Sequence, residues 1–540
     1  MSDFPETQHA VQLIGPNELT LNTSKPVPTP GPHEILVKVE AVGLCFSDLK
    51  LLKQFDSHPR KSDVVRGIDA DILKSVQSYV PGNKPVVPGH EVVCHIVAIG
   101  DAVKHHQVGE RCLVQTDYRQ LPTAYSNSAF GYNFDGGLQE YTLVDERVVV
   151  GPDGQRFLIP AGQQKSASAV ALVEPWACVE DSYVTKERQR IKAGGKLLVV
   201  AADGREVVGV NESFSSDGEP AEVINISPDE VDELADEYFD DIVYFGSDKS
   251  TLEALNDKLT TSGIINVVLG GMKIGELVSV GVGRVHYGLT RWIGTVGIDA
   301  SDSYATIPND GEVRPHDKVL VVGAGGPMGQ MHVIRDVCLN LPGISVVGTD
   351  FDNNRLESLL TKAMPMAEAN KVSLKLVNPQ ENPLNGTFSY FALMAPVGAL
   401  VASSIADADN GAIINIFAGI PAPTRHDLDL DMYIEKGCFM FGTSGSTIDD
   451  MRIVLGKLEE DQLNTNSSVD AVSGMVGAIE GLSCVENRSL AGKIIVYPML
   501  RNVGLIPLDK MAEEFPTVAK KLNGGMWTRA AEEELLRVAS

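Results

Sequence analysis

From Lys196 to about Asp450 the chain alternates short apolar runs with segments long enough for helices, and this alternation restricts the fold more than any other feature. The runs are KLLVVAA, DIVYFG, GIINVVLGG and RWIGTVG, then KVLVVGAGG, ISVVGTD, SLKLV, YFALM, AIINIFAG and FMFGTSG. Strands covered on both faces read as continuous Val/Ile/Leu runs, and helix-length spacers between them imply parallel sheets with crossover helices. The pattern also repeats. GIINVVLGG at Gly263 echoes AIINIFAGI from Ala412, and RWIGTVGIDASD from Arg291 echoes FMFGTSGSTIDD from Phe439, at nearly the same offset. A first copy, from Lys196 to about Ser303, is shorter than a second from Lys318 to about Asp450.

The remainder reads differently. From about Val11 to Val150 the apolar runs are short and alternating (EILVKVEAVG, VVCHIVAIG, RCLVQT, LQEYTLV, RVVVG), with Gly, Pro and Asp between them. This is the pattern of an all-β region, a partly open barrel. A polar stretch over 53–84 interrupts it as an insertion that either covers a cleft or decorates the surface. GKIIVYPMLR reads as a strand returning to the β region, and DKMAEEFPTVAKKL and TRAAEEELLRV as two amphipathic helices lying on the surface or on a partner. With 540 residues to distribute, several cores are expected. The expected divisions are a β-rich domain over 1–175, the weaker copy over 176–310, the fuller copy over 311–485, and a return with C-terminal helices over 486–540.

DKVLVVGAGGPMGQMHVIRDV sets a buried strand, a glycine cluster and a helical segment in direct succession. Glycines let a backbone approach a pyrophosphate closely, and the N–H groups and dipole at a helix start stabilise its charge. Gly323, Gly325, Gly326 and Gly329, with Met328 at the helix start, are the candidate cradle. The spacing departs from G-x-G-x-x-G: counting back from Gly329 puts Gly326 second and Ala324 first, or else one residue is inserted. ISVVGTD ends in Asp350, whose carboxylate would accept hydrogen bonds from a ribose diol and repel a 2′-phosphate, so NAD is favoured. Arg355 follows closely and could accommodate that phosphate, which leaves NADP open. The matching turn of the first copy, AADGREVVGV, has only Gly204 and Gly209 and no clear long helix after it. It reads as a decayed duplicate without a dinucleotide.

Charge removes some partners. The formal net charge of −27, without a dense Lys/Arg cluster, argues against nucleic acid and anionic membranes. Seven dispersed cysteines without a Cys-x-x-Cys pair suit reduced thiols and the cytoplasm. The opening MSDFPETQHAVQLIG lacks the pattern of an export signal, and no apolar run approaches the length of a membrane span.

Three further segments carry chemistry: GLCFSDLK with Cys45, Ser47 and Asp48; VVPGHEVV with His90 and Glu91; and ALVEPWACV with Glu174. A thiolate, an imidazole and carboxylates suit zinc, and three protein ligands leave a position open. At these motifs, with GGLQEY and the glycine cradle, the sequence resembles the medium-chain dehydrogenase/reductase superfamily over almost its full length, and within it the zinc-dependent alcohol and polyol dehydrogenases. EPWACV is most similar to the polyol, sorbitol dehydrogenase-like branch. The fuller nucleotide unit, with GAGGPMGQMHVIRD, NIFAGIP and FGTSGST, resembles a smaller subset that includes sorbose 1-phosphate reductase-like enzymes.

The resemblance implies an α/β fold in which a GroES-like β-rich catalytic domain accompanies a Rossmann-type doubly wound parallel sheet, the latter duplicated here. It implies Cys45, His90 and Glu174 as zinc ligands, Glu91 as an exchangeable ligand or a carboxylate behind them, Ser47 in a proton relay, and Asp48 orienting His90. Relatives often carry four closely spaced cysteines for a structural zinc where VQTDYRQLPTAYSNSAFGYNFDGG has none, so one catalytic zinc and no structural zinc are expected. Cys94, Cys112 and Cys178 are expected to be packing residues. His58, Arg60, Lys61, Tyr118, Arg119 and Arg291 could serve a polyhydroxyl or phosphate group, with solvation at the surface as their ordinary role.

The expected activity is hydride transfer between a nicotinamide cofactor and a secondary alcohol or ketone of a polyol, sugar or sugar phosphate. Two other readings stand beside it: a metal-free, quinone-reductase-like enzyme, and a non-catalytic NAD(H)-binding sensor or assembly protein. A dimer or tetramer is expected, because the last strand of a nucleotide sheet offers an edge for pairing.

Overall fold

The computed structural model describes residues 4–540; Met1 to Asp3, where the stretch examined for an export signal begins, lie outside them. The chain divides into two units, one built from residues 1–178 and 446–540, the other from 179–445. No helix among the described residues is long and apolar enough to cross a membrane.

In the first unit the central strand is Glu34–Gly43, whose inward positions are almost all buried. It pairs antiparallel with Glu91–Ile99, Tyr141–Asp145 and Lys493–Val496. The open eight-stranded sheet runs in order Ile506–Pro507, Val469–Ser473, Lys493–Val496, Glu34–Gly43, Glu91–Ile99, Arg111–Val114, Leu158–Pro160, with Tyr141–Asp145 on the side of the central strand. The return of the chain thus begins at Ser446 instead of about 486, because Val469–Ser473 is the parallel neighbour of Lys493–Val496. The expected pair of C-terminal helices is broken into Met511–Glu514, Pro516–Ala519 and Arg529–Ala539. Pro516 cannot continue the helix before it and disfavours helical backbone at Phe515. The last helix is anchored: buried Glu532 accepts from the Ala167 and Ser168 backbone N–H groups at 2.6 and 2.8 Å and from Tyr497 Oη at 2.8 Å.

The second unit holds both copies. Parallel strands of the first run in order Glu222–Ile226, Lys196–Ala201, Phe239–Phe245, Leu259–Val268, Arg291–Thr295. Those of the second run Ser373–Val377, Ser345–Thr349, Lys318–Val322, Phe388–Leu393, Ala408–Asn415, Phe439–Phe441. Apart from the added outer strand the order is the same. Even the irregularity in pairing recurs, after Phe239 in one and after Phe388 in the other. One continuous hydrophobic core joins the copies, including Val280, Val285, Trp292, Ile414, Leu428, Tyr433 and Met440, which is why they form one unit instead of the two expected.

Candidate functional site

The β-rich unit gathers the metal-type residues from distant segments. Helix Phe46–Gln54 begins at Cys45, whose N–H donates to Asp48 Oδ2 at 3.1 Å in a capping arrangement. The other Asp48 oxygen accepts from His90 Nδ1 at 2.9 Å. That bond leaves Nε2 directed toward Ser47 Oγ, 3.3 Å away, and Ser47 Oγ lies 3.0 Å from Cys45 Sγ. One potential ligand atom each from Cys45, His90 and Glu91 lies within 4.8 Å of the others.

Register explains how Glu91 fits. Gly43 of the central strand pairs with Glu91, and a Cβ added at Gly43 would stand 2.0 Å from Glu91 Oε2. Only glycine leaves room for that carboxylate. Lys493, from the strand on the other side, is buried and donates to Glu91 Oε1 at 2.5 Å. Glu91 Oε2 is buried with no hydrogen-bond partner among the described residues. An unsatisfied charged oxygen costs at least about 1–3 kcal/mol, so the site is built to receive a cation or a donor there.

Electrostatics are those of a tight charge cluster. Burial opposes charge on His90, yet Asp48 and Tyr132 outweigh it and hold the imidazole well above its ordinary value. Glu174, in the first turn of helix Val173–Val184, is buried; burial pushes its carboxyl up to about 7, Glu91 and Asp48 adding to the rise while His90 and Lys493 oppose it. Glu174 is near enough to feel those charges but falls outside the group of three whose atoms lie within 4.8 Å.

The 53–84 stretch contributes to this neighbourhood. Tyr132 packs against His90 with ring centroids 5.7 Å apart, and it also contacts His58 at 5.2 Å and the Arg60 guanidinium at 5.6 Å. Burial, then Arg60 and Lys50, lowers His58 to about 4. Arg60 also pairs with Asp117 at 2.8 Å. Three residues expected at the surface are buried instead: Lys61 donates to the carbonyls of Val80 and Lys84, Tyr118 packs on Phe134 and Phe157, and Arg291 pairs with Glu187. Lys61 and Arg291 satisfy their polar ends inside the fold, which composition alone does not reveal.

In the other unit the glycine cradle lies between strand Lys318–Val322 and helix Pro327–Cys338. Gly323 has φ +84°, and both its N–H and that of Ala324 donate to Thr349 O at 2.8 Å. A Cβ at Gly329 would stand 2.2 Å from Gly323 O, so helix and turn pack with no space for a side chain. At Gly326 the nearest atom would be 3.9 Å away, which leaves that face open. Gly323 therefore serves the tight turn and Gly329 the close packing, with one residue inserted relative to the simple motif. Gly325 N–H donates to Asp350 Oδ2 at 3.0 Å, and Met328 lies in the first turn of the helix. Arg355 stands beside Asp352, 3.6 Å away, with its Cβ 2.8 Å from where a Gly325 Cβ would be.

Residues 31–153 match the alcohol dehydrogenase GroES-like domain. Bovine sorbitol dehydrogenase is 34% identical over 101 residues, 19% of this chain and 22% of that protein. Over its GroES-like part the chain is similar to the zinc-type medium-chain alcohol and polyol dehydrogenases. Mannitol-1-phosphate 5-dehydrogenase from Aliivibrio fischeri is 22% identical over 385 residues, 62% of this chain and 84% of that protein. Among solved structures, 2R,3R-butanediol dehydrogenase from Bacillus subtilis superposes with a TM-score of 0.53 at 14% identity, covering 91% of this chain and all of the other. The first unit carries the GroES-like match, and the parallel sheets of the second are of Rossmann type.

The donor set would suit zinc. A thiol sulfur, an imidazole nitrogen held by a carboxylate behind it, and carboxylate oxygens are the ligands zinc prefers. The orphaned Glu91 Oε2 gives a physical reason for a cation at this place. Sequence reasoning missed Gly43, Tyr132 and Lys493. Lys493 had a signal, a lone lysine heading the apolar run KIIVYPML, but the partner it neutralises is 402 residues away.

Proposed function

We propose that this dehydrogenase is a zinc-dependent, NAD(H)-linked enzyme acting on a secondary alcohol or ketone of a polyol, sugar or sugar phosphate. The observation that carries this is the convergence of Cys45, His90 and Glu91 within 4.8 Å, with Asp48 fixing the imidazole. Cys45, His90 and Glu174 would hold the metal, with Glu91 as an exchangeable ligand. Bound there, zinc supplies Lewis-acid polarisation of a hydroxyl or carbonyl oxygen. Asp48 engages His90 Nδ1 and so orients Nε2 toward the position a ligand bond would use. Ser47 Oγ, between Cys45 Sγ and His90 Nε2, accepts and passes on the proton that leaves a substrate hydroxyl. Lys493 balances the Glu91 charge from behind.

The nicotinamide cofactor supplies the hydride acceptor or donor. Gly326 gives its pyrophosphate an open backbone face, and Asp350 accepts from a ribose diol, which favours NAD over NADP. The names of the relatives, a mannitol 1-phosphate and a sorbitol dehydrogenase, support the polyol and sugar-phosphate class.

The test is metal analysis of the purified protein alongside nicotinamide absorbance with a panel of sugar alcohols, sugars and sugar phosphates. Stoichiometric zinc is expected, lost in Cys45→Ser together with turnover while NADH binding persists. Absent zinc, or full turnover after chelation, would sink the metal mechanism.

A further inference from the structure

The two copies in the 179–445 unit meet as the halves of a symmetric dimer meet. Counterparts near the contact are separated by the same interval as Arg291 and Phe439, so Val278, Ser279 and Val280 correspond to His426, Asp427 and Leu428. These two segments pair antiparallel with each other: Val278 with Leu428, Ser279 with Asp427, Val280 with His426. Ser279 thus faces its own counterpart, and the flanking pairs exchange places across it, which is the register of an isologous interface.

The packing around this pair repeats the symmetry. Helix Val282–Tyr287 of the first copy lies against strand Phe439–Phe441 of the second, and its counterpart helix Leu430–Glu435 lies against strand Arg291–Thr295 of the first. A Cβ at Gly294 would stand 2.8 Å from Ile434, and one at the counterpart Gly442 would stand 2.9 Å from His286, the counterpart of Ile434. Buried Tyr433 donates through its hydroxyl to Trp292 O at 2.8 Å and accepts from Met440 N at 2.9 Å, and Trp292 and Met440 are themselves counterparts. The final strands of the two sheets, Arg291–Thr295 and Phe439–Phe441, lie side by side.

We propose that the first copy is an in-chain partner subunit: it presents to the cradle-bearing copy the surface that a second chain would otherwise present, so each chain is a two-fold assembly with a single dinucleotide cradle. An exposed terminal strand invites pairing with another molecule, and here that edge is covered by the chain's own repeat. Covalent linkage makes the encounter intramolecular, at an effective concentration of roughly millimolar or above, so a second chain cannot compete at ordinary protein concentrations. The edge expected to drive homo-oligomer formation is therefore occupied from within.

The experiment uses the full chain carrying Ser279→Cys and Asp427→Cys together. Antiparallel partners hold their Cα atoms about 4.5–5.5 Å apart, within reach of a disulfide. Under mild oxidation the two introduced thiols should link within one chain, as read by peptide mass mapping and by a non-reducing gel at the mass of a single 58.0 kDa chain. Either single substitution should give no such link. A disulfide-linked species of twice that mass, or no link between the two positions, overturns the proposal. Independently of any substitution, hydrogen exchange of the amides of Val278–Val280 and His426–Leu428 in the unaltered chain should not depend on protein concentration; protection that rises with concentration overturns it as well.

Discussion

The two copies share a strand order, a pairing irregularity and a common core, yet only one is equipped for a dinucleotide. In the second, strand Lys318–Val322 leads through Gly323 into a twelve-residue helix, Pro327–Cys338, whose N-cap Gly326 is open on its Cβ side. In the first, strand Lys196–Ala201 is followed, among the described residues, by a loop and the short turn Asn211–Ser213 before strand Glu222–Ile226. No helix start is placed where the phosphates would lie. Arg205 instead donates to Leu269 O at 2.8 Å and Val268 O at 2.9 Å, so its guanidinium lies at the carboxyl end of strand Leu259–Val268. Ligands of such sheets bind beyond the carboxyl ends of the strands. The difference teaches that a sheet and its core can persist after the binding turn has gone, because burial of the strands and not the glycine loop holds the fold together.

The helix missing from the first copy also brings a buried polar cluster to the second. Arg335 pairs with Glu180 and Glu312, and Tyr183 Oη lies 2.6 Å from His332 Nδ1 and donates to Asp336 Oδ2 at 3.4 Å. Burial lowers His332 to about 3, with Arg335 adding to the effect.

The contrast between the copies can be broken most directly at the cradle. NADH should bind with a stoichiometry of one per chain, and Gly329→Val should weaken it by at least about 100-fold, near 2.7 kcal/mol. Fluorescence titration measures both, and two NADH per chain would erase the distinction. Gly294→Val and Gly442→Val probe what the copies have in common. Each crowds a counterpart helix, so each should cost about 1–3 kcal/mol in urea unfolding, and a cost confined to one of them would contradict the symmetric packing.

A pH dependence should belong to the second copy. Burial pushes Asp336 up to about 8, Glu312 and Glu180 adding to the rise while Arg335 opposes it. The folded chain then keeps a proton that an unfolded aspartate, with its ordinary value of 3.8, releases. Stability must fall as pH rises between those values, by at most about 1.4 kcal/mol per pH unit. Asp336→Asn should flatten that slope; identical slopes in urea unfolding from about pH 5 to about pH 8 would remove Asp336 from the account.

Asp350→Ser should raise the NADH dissociation constant about 10-fold, near 1.4 kcal/mol, without weakening NADPH. Equal losses for both cofactors would place Asp350 in the turn's packing alone. The smallest effect is expected at Arg205→Met, about 1 kcal/mol of stability and no second NADH site. Appearance of such a site would show that Arg205 alone keeps the first copy empty.

Much of this was legible in the chain. All ten apolar runs became strands, because Val/Ile/Leu continuity is a local signal of a covered sheet. Among the strands that escaped notice, Glu222–Ile226 alternates half-buried with exposed residues, and Val278–Val280 and His426–Leu428 are only three residues long, so none carries such a run. Cys45, Ser47, Asp48, His90 and Glu91 were recognisable from short motifs, and they converge. Gly43 and Lys493 were not, since the role of each is defined only by Glu91, on the strand beside Gly43 and one strand beyond for Lys493. The burial of Lys61 was invisible for a similar reason: its acceptors are two carbonyls of the inserted loop itself.

The amino-acid sequence by itself determined which segments are strands, that the sheets are parallel and repeated, and which residue types could hold a metal or a dinucleotide. These follow from periodicity and side-chain chemistry within a few residues. Only the tertiary structure decided that Glu91 is backed by a lysine, that Arg205 lies where a ligand would in the first copy, and that the two copies share one core through an isologous contact. Those depend on register and packing between segments far apart in the chain, and hydrophobic pattern does not encode which buried face meets which.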